Sequence, residues 1–365
     1  MADTLYFSRD TQVFIKIGSN IWTMPVLDGF SFSQATNASE VTLNEMSDLS
    51  GNSRRARQMF TDSYAPAEWS FSTYARPFIS AGSGTGAADS AAKHHAVEEV
   101  LWAMMVGDAA YSSNTFTGFT ADTTDLDISF ASSNKTTLGT ADIFFVMGGA
   151  GSGTKTAYKI AGCCVNEASL DFDIDGIATI NWSGFGTIIT EDTAPTATIY
   201  EGTAATDTGN FIRNRLTSLD IDTAMGGTHP ATYNLVLTGG NVTISNNITF
   251  LTPETLGVVN QPLGHVTGTR SVGGNFTCYL NAEDDSSAEL FENIIENTTT
   301  ITNVFDLTFS VGGSGVPRME LHMDRCHLEV PTHSIDDVVS LETNFHALPS
   351  NIESADEISI KYKGG

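Results

Sequence analysis

The sequence predicts a mainly β protein with some α (α+β), built from two tandem copies of an antiparallel β-barrel or sandwich domain, each flanked by one helix. Three observations support this prediction. Short segments alternate apolar and polar residues between turn-forming residues, each half contains one helical pattern, and four short blocks recur in the same order. The period of the repeat is too long for a solenoid, so each copy should be a whole domain.

The repeated blocks divide the chain into a first domain over residues 1–205 and a second over 206–365, with a linker within 190–210. The blocks are 71–74 with 276–279, 99–105 with 289–295, 142–149 with 306–313, and 174–180 with 335–341. A cysteine lies between the last two blocks in both halves, at Cys163 or Cys164 and at Cys326. A duplicated domain gives one molecule two similar surfaces, which favours a self-assembling part over a catalyst.

The first copy begins with a predicted hairpin of strands over 11–17 and 21–24, joined at Gly18. Strands over 29–34 and 68–74 follow. Between them, residues 35–66 lack apolar periodicity and predict a long exposed loop. The loop contains a basic cluster, Arg54, Arg55 and Arg57, which is a candidate docking point for an acidic neighbour.

The helical pattern of the first copy covers residues 87–106 and ends at Gly107, a residue suited to a helix C-terminus. Its counterpart covers 286–297, with Ser286 or Ser287 as the N-cap. Residues 108–140 predict an irregular stretch. The remaining strands are predicted over 143–147, 157–161, 168–174, 178–182, 216–221, 233–237, 242–244, 276–280, 305–311, 319–328 and 338–344.

The charge is strongly acidic, with a net value of −26 shared equally by the two halves. There are 10 basic and 23 acidic residues up to Ala205, and 7 and 20 after it. Such a protein will not hold nucleic acid through phosphate contacts. No apolar run is long enough to span a bilayer, no secretory signal begins the sequence, and the four cysteines are expected to be reduced and buried.

Three groups of residues resemble chemical motifs but do not meet the requirements of those motifs. Residues 148–156 resemble a phosphate-binding loop, but Thr154 separates the glycine from Lys155 and a strand pattern follows. His322, Cys326, His327 and His333 are ligand-type residues that do not converge on a strand. Asp171, Asp173 and Asp175 alternate along a strand face but lack a calcium-loop signature. No catalytic residue, metal site or cofactor is therefore predicted.

The pattern as a whole resembles the major tail tube proteins of long-tailed bacteriophages. In the first half the likeness rests on the opening hairpin over 9–17, the long loop and the helix between strand groups. In the second half it rests on the segments 264–270 and 274–280, the helix start at 287–291 and the closing strand over 335–342. No single motif is diagnostic, but the likeness spans most of the chain.

The resemblance implies a virion structural protein that assembles into stacked rings, forming the hollow tail tube that conducts double-stranded DNA into the host. Inner strands of neighbouring subunits would form one lumen wall. Two fused tube domains would give homotrimeric rings with pseudo-sixfold symmetry, the alternative being a homohexamer. The other implied partners are the tape-measure, tail terminator and distal tail proteins. DNA would pass without specific binding, no membrane would be involved, and the protein would be made in the host cytoplasm.

Two sets of residues are candidates for roles in such a tube. Arg54, Arg55 and Arg57 are candidates for contact between rings. A tube that passes DNA should not bind it, so part of the acidic excess is expected to face the lumen. The candidate lumen residues are Asp171, Asp173, Asp175, Asp336 and Asp337. The loops at 35–66, 80–95 and 108–140 have no equally long partners in the second half of the sequence, which predicts outer decoration or ring stacking.

Two other function classes fit the composition. A β-rich receptor-binding or capsid decoration protein would also be rich in Ser, Thr, Asn and Gly, although such modules often lack a helix between their strands. An enzyme, such as a hydrolase, is disfavoured because neither copy contains a catalytic constellation.

Overall fold

The computed structural model describes residues 6–41, 49–52, 57–80, 92–107, 109–130, 138–148, 155–199, 210–223, 230–296 and 305–364. Within them the protein is a mainly antiparallel β structure with two α-helices, as the sequence predicts. The largest sheet contains nineteen strands and is branched without closing into a barrel. No helix in these ranges is long and apolar enough to cross a membrane.

The elements up to residue 199 are here called the N-terminal half, and those from residue 210 the C-terminal half. The N-terminal half contains β1 (Thr11–Ile17), β2 (Asn20–Met24), β3 (Ser31–Ser33), β4 (Thr36–Val41), β5 (Gln58–Tyr64), β6 (Ala67–Tyr74), β7 (Pro77–Ile79), β8 (His94–Ala96), α1 (Glu99–Val106), β9 (Tyr111–Ser112), β10 (Thr115–Phe116), β11 (Phe119–Ala121), β12 (Leu126–Ser129), β13 (Ala141–Met147), β14 (Thr156–Phe172), β15 (Thr179–Gly186) and β16 (Ile189–Asp192). The C-terminal half contains β17 (Ser218–Thr223), β18 (Thr232–Asn234), β19 (Leu237–Ser245), β20 (Thr249–Leu251), β21 (Gly264–Val266), β22 (Ser271–Tyr279), α2 (Ser287–Glu296), β23 (Phe305–Val311), β24 (Arg318–Leu328), β25 (Thr332–Ile335), β26 (Val339–Ala347) and β27 (Ser359–Lys363). Short 3-10 turns cover Ser8–Asp10 and Asn214–Leu216.

Eight strands form a continuous run across both halves, which we call the central sheet. Its order is β3–β6–β15–β14–β19–β22–β26–β25, and every neighbouring pair is antiparallel. The halves meet where the second part of β14 pairs with β19, from Glu167 opposite Ser245 to Phe172 opposite Gly240. One sheet therefore crosses from one half to the other without interruption.

The order of hydrogen-bonded neighbours in the N-terminal half recurs in the C-terminal half. The order β1–β13–β14–β15–β6–β3 corresponds to β17–β23–β24–β26–β22–β19. The register shifts at the same place, beside Asp142 in one half and Asp306 in the other. In both halves a buried cysteine, Cys163 or Cys326, donates its thiol hydrogen to the carbonyl three residues earlier. The predicted boundary near residue 205 lies outside the described residues.

The core lies between the central sheet and the helices. Large aromatic side chains point inward from the sheet, and Trp182 meets Trp102 of α1 in a T-shaped contact with centroids 4.7 Å apart. All eight residues of α1 are buried. The partly exposed α2 is attached through Asn293, whose Nδ2 donates to the Tyr233 hydroxyl at 2.7 Å.

The predicted helix over 87–106 begins only at Glu99. The apolar periodicity starts at Val97, and the preceding residues His94–Ala96 form β8, which pairs with β7. Residues 87–91 lie outside the described part of the chain. The helix ends as predicted at Gly107, whose φ of 138° lies in the region that favours glycine.

Three other predictions about regular structure were wrong. Residues 35–66 contain the antiparallel pair β4–β5, whose polar, exposed strands give no apolar alternation to detect. The two strands predicted over 157–161 and 168–174 are one strand, β14, which bends at Gly162 with a φ of 59°. The stretch 108–140 also contains four short strands, β9 to β12.

Candidate functional site

One face of the central sheet is polar and points away from the core. Its strands alternate buried apolar residues with exposed or half-buried Ser, Thr and Asn. Four carboxylates lie on this polar face: Glu68, Glu167, Asp171 and Glu342. Counting β14 from Cys164 onward, the eight strands contain neither lysine nor arginine. The face is therefore hydrophilic and mildly acidic over its whole width.

Hydrogen bonds between neighbouring strands fix two of these carboxylates. Asn181 donates to Asp171 at 3.2 Å, and Ser72 donates to Asn181 at 2.7 Å. In the C-terminal half, Asn275 donates to Glu342 at 2.9 Å. The negative charges are thus held on the sheet surface by amide and hydroxyl groups, with no basic partner among these contacts.

The five predicted acidic residues are all exposed, but only Asp171 lies on a strand. The prediction that Asp171, Asp173 and Asp175 share one strand face was wrong, because β14 ends at Phe172. Asp173 and Asp175 lie in the turn that leads to β15. Asp336 and Asp337 lie in the corresponding turn between β25 and β26.

Sequence reasoning missed three of the four carboxylates on the polar face. Glu68, Glu167 and Glu342 each occupy a polar position in an alternating strand. That alternation is visible in the sequence, but which strands share a face depends on the pairing order. Asp175, one of the candidate lumen residues, has a basic partner: its carboxylate lies 3.4 Å from the Arg215 guanidinium.

The central sheet has a free edge at each end within the described residues. β3 pairs only with β6, and β25 pairs only with β26. All four residues of β25 are exposed, and Ile335 is 80% exposed. An unpaired edge of this kind is a template for another strand.

Two hairpin arms, β4–β5 and β20–β21, project at the same topological position in each half. The first connects β3 to β6 and the second connects β19 to β22, so the 35–66 segment has a shorter counterpart in the C-terminal half, residues 246–270. The arms touch each other: the Tyr64 N–H donates to the Asn260 carbonyl at 2.9 Å. Together they expose Met59, Phe60, Leu251, Leu256, Val258 and Leu263.

The structure places one of the three predicted basic residues. Arg57 immediately precedes β5, at the end of the first arm away from β3 and β6, where it forms an ion pair with Glu40 across the hairpin. This hydrogen-bonded pair raises the pKa of Arg57. Arg54 and Arg55 lie outside the described residues.

A buried polar cluster joins α1 to the last strand. Glu98 accepts hydrogen bonds from the Arg76 N–H at 3.2 Å and from the Tyr362 hydroxyl, which itself accepts from Trp102 at 2.8 Å. Burial raises the pKa of Glu98 to about 7. The Gly364 N–H donates to His94 at 2.9 Å. These contacts fasten β27 of the C-terminal half to the N-terminal half.

The four ligand-type residues that lie close together in the sequence, His322, Cys326, His327 and His333, do not converge in the structure. Cys326 is buried in the core, and His333 meets the Phe291 ring. A different group of three potential ligands is found in the described residues, formed by Asp306, His322 and Asp324.

Comparison with known proteins gives two matches. Residues 38–347 match the family model described as phage tail tube protein. The chain is also 30% identical to the protein named tail tube protein pb6 of Escherichia phage T5, over 97% of this chain and 75% of that protein.

Proposed function

The chain belongs to the phage tail tube protein family, and from this premise we propose that it assembles with itself into stacked rings that form a DNA-conducting tube. Membership implies a structural role in the virion tail, with other tail proteins as neighbours, and favours that role over catalysis. The proposed neighbours are the tape-measure, tail terminator and distal tail proteins. Synthesis would take place in the host cytoplasm, with no membrane involved.

The observation that carries the proposal is the junction between the halves. The second part of β14 pairs with β19 over six residue pairs inside the chain. β3 pairs with β6 at the position where β19 pairs with β22 in the other half. Likewise, β25 and the end of β24 pair with β26 at the position where the second part of β14 pairs with β15. The two free edges are therefore counterparts of the two strands that already pair.

Pairing of β25 from one chain with β3 of the next would repeat this junction between subunits. Such a head-to-tail contact generates a ring when the rotation closes, and it removes both free edges. Each chain would supply two similar four-stranded segments, because residues 1–205 and 206–365 are proposed to be duplicated domains. A ring of six segments then needs three chains, the alternative being six.

The polar face of the central sheet fits the proposed lumen wall. A wall that carries carboxylates and no lysine or arginine repels phosphate and forms no contacts that release counterions. Glu68, Glu167, Asp171 and Glu342 would lie on this wall. The previously predicted Asp173, Asp175, Asp336 and Asp337 would lie at its rim, in the two corresponding turns. DNA would slide past without specific binding.

The two arms are proposed to make the contacts between stacked rings. Both arms project from the central sheet. Their exposed apolar side chains would be covered by a neighbouring ring. Arg57 would act there by bracing its own hairpin through Glu40. Arg54 and Arg55 remain candidates for direct contact.

The free edge is tested by Ile335→Lys, which places a charge on β25 without removing a core contact. Natural edge strands use such charges to prevent pairing. Ile352→Lys is the matched control, since Ile352 is 100% exposed in a loop that pairs with no strand. Negative-stain images should show rings or tubes for the wild type and the control, and single subunits for Ile335→Lys. Equal assembly of both variants would contradict the proposed edge, and discrete wild-type particles at all concentrations would favour a decoration or receptor-binding protein.

A further inference from the structure

Asp306, His322 and Asp324 converge at the β-bulge between β23 and β24. Phe305 lies opposite Cys326 and Leu307 opposite Met323, so two residues of β24 lie opposite Asp306 alone. His322 Nε2 is 2.9 Å from the Asp306 carboxylate and 3.2 Å from the Asp324 carboxylate. One N–H on Nε2 can point fully at only one of these two acceptors, so the group is incompletely satisfied by hydrogen bonding.

Two lysines accompany the corresponding bulge of the N-terminal half. There Asp142 lies opposite Lys16 on β1, and its carboxylate accepts from the Gly162 N–H at 3.1 Å. Lys159, one strand away, forms an ion pair with Asp192 at 2.7 Å. The negative charge at this bulge is therefore matched by permanent positive charge.

The C-terminal half has no lysine at either corresponding position. Asp222 lies opposite Asp306 where Lys16 lies opposite Asp142, and His322 takes the position of Lys159. The other register partners of His322 are uncharged, Thr308 on β23 and Ser359 on β27. Asp306 and Asp324 thus both lie within 3.2 Å of a single imidazole, which is charged only when it is protonated.

The positive charge next to this cluster in the sequence is engaged elsewhere. The nearest sequence neighbour that could compensate, Arg325, donates to the Ser350 carbonyl at 3.4 Å.

We propose that Asp306, His322 and Asp324 bind a divalent transition-metal ion, with zinc as the best match. Two carboxylate oxygens and one imidazole nitrogen are a ligand set that zinc accepts, with water completing a tetrahedron. Ligand atoms around tetrahedral zinc are about 3.3 Å apart, close to the two separations found here. The ion would replace the missing lysines and clamp β23 to β24. The site does not depend on ring formation.

The test uses the full-length protein, stripped with a chelator and titrated with zinc alone by isothermal titration calorimetry. His322→Gln should weaken the site by about tenfold or more, as should Asp324→Asn, whose side chain is 64% exposed. Zinc should raise the melting temperature of the wild type and leave that of His322→Gln unchanged. If both variants fold but bind zinc weakly, the loss of binding is due to the missing ligand and not to misfolding.

Two controls keep the expected result specific. Asp142→Asn changes the corresponding bulge, and His346→Gln removes a second exposed histidine, 3.1 Å from Glu329. Both should bind one zinc ion with wild-type affinity. The proposal is overturned if the wild type shows no zinc binding, if His322→Gln and Asp324→Asn bind as the wild type does, or if His346→Gln alone abolishes binding.

Discussion

The N- and C-terminal halves share a strand order but differ on the outward face of the strands β1–β13–β14 and β17–β23–β24. In the N-terminal half part of this face is apolar: Phe14, Phe144, Val146 and Ala157 pack together beneath the chain's own Ala194 and Ala197. At corresponding positions the C-terminal half has polar residues such as Thr308 and Ser310. The two halves therefore share their inward-facing apolar pattern and carry different residues at the outward positions.

The largest expected effect tests the inward side of this comparison. Trp182 is 1% exposed, packs on Trp102 and donates to the Thr73 hydroxyl at 2.9 Å. Trp182→Ala should lower the free energy of unfolding by about 3–5 kcal/mol, through lost burial and an unfilled cavity. Urea denaturation measures this change. A loss below about 1 kcal/mol would mean that α1 is not held by this contact.

A second expected effect depends on Glu98, which has no buried carboxylate counterpart beside α2 in the part of the chain that the structure describes. A carboxyl group whose pKa is raised by folding stabilises the protein when protonated, and this contribution is lost as the pH rises from about 4.5 to about 7. Wild-type stability should therefore fall across that window, by on the order of 3 kcal/mol or less. Glu98→Gln should flatten the dependence and be more stable than the wild type at about pH 8.

Melting temperatures measured at about pH 5 and about pH 8 check this prediction. Asp171→Asn, a change of an exposed carboxylate, is the control and should keep the wild-type pH dependence. Parallel curves for the wild type and Glu98→Gln would show that Glu98 does not titrate in this range.

The smallest expected effect tests the outward side. Phe144→Thr gives the N-terminal half the residue found at the corresponding position of the C-terminal half, Thr308. It should cost about 2 kcal/mol, because Phe144 is 4% exposed. A change from polar to apolar at the corresponding position, Thr308→Val, should stay within about 0.5 kcal/mol. Equal effects in chemical denaturation would remove the proposed difference between the two faces.

The sequence was most informative where one face of a strand is buried. β1 and β23 were predicted with their observed bounds, since alternation records burial directly. The arms were missed because exposed hairpins have no such alternation. Helix α1 was predicted too long, because a helix buried on all sides has no polar stripe to mark its start.

The candidate site was predictable only in part. The acidic excess is visible in the composition, but the polar face depends on which strands are neighbours, and Glu68, Glu167 and Glu342 come from three separate strands. Asp306 and His322 meet only because β23 and β24 pair with a bulge. Neither the pairing of distant strands nor the position of a bulge between consecutive strands carries a local sequence signal.

The central claim is that the β14–β19 junction inside each chain is repeated between chains. A class-averaged end view of assembled rings, combined with the mass of one ring, tests it most directly. The account predicts three chains per ring, with threefold symmetry and six similar segments around the lumen. A ring of six whole chains with true sixfold symmetry would contradict it.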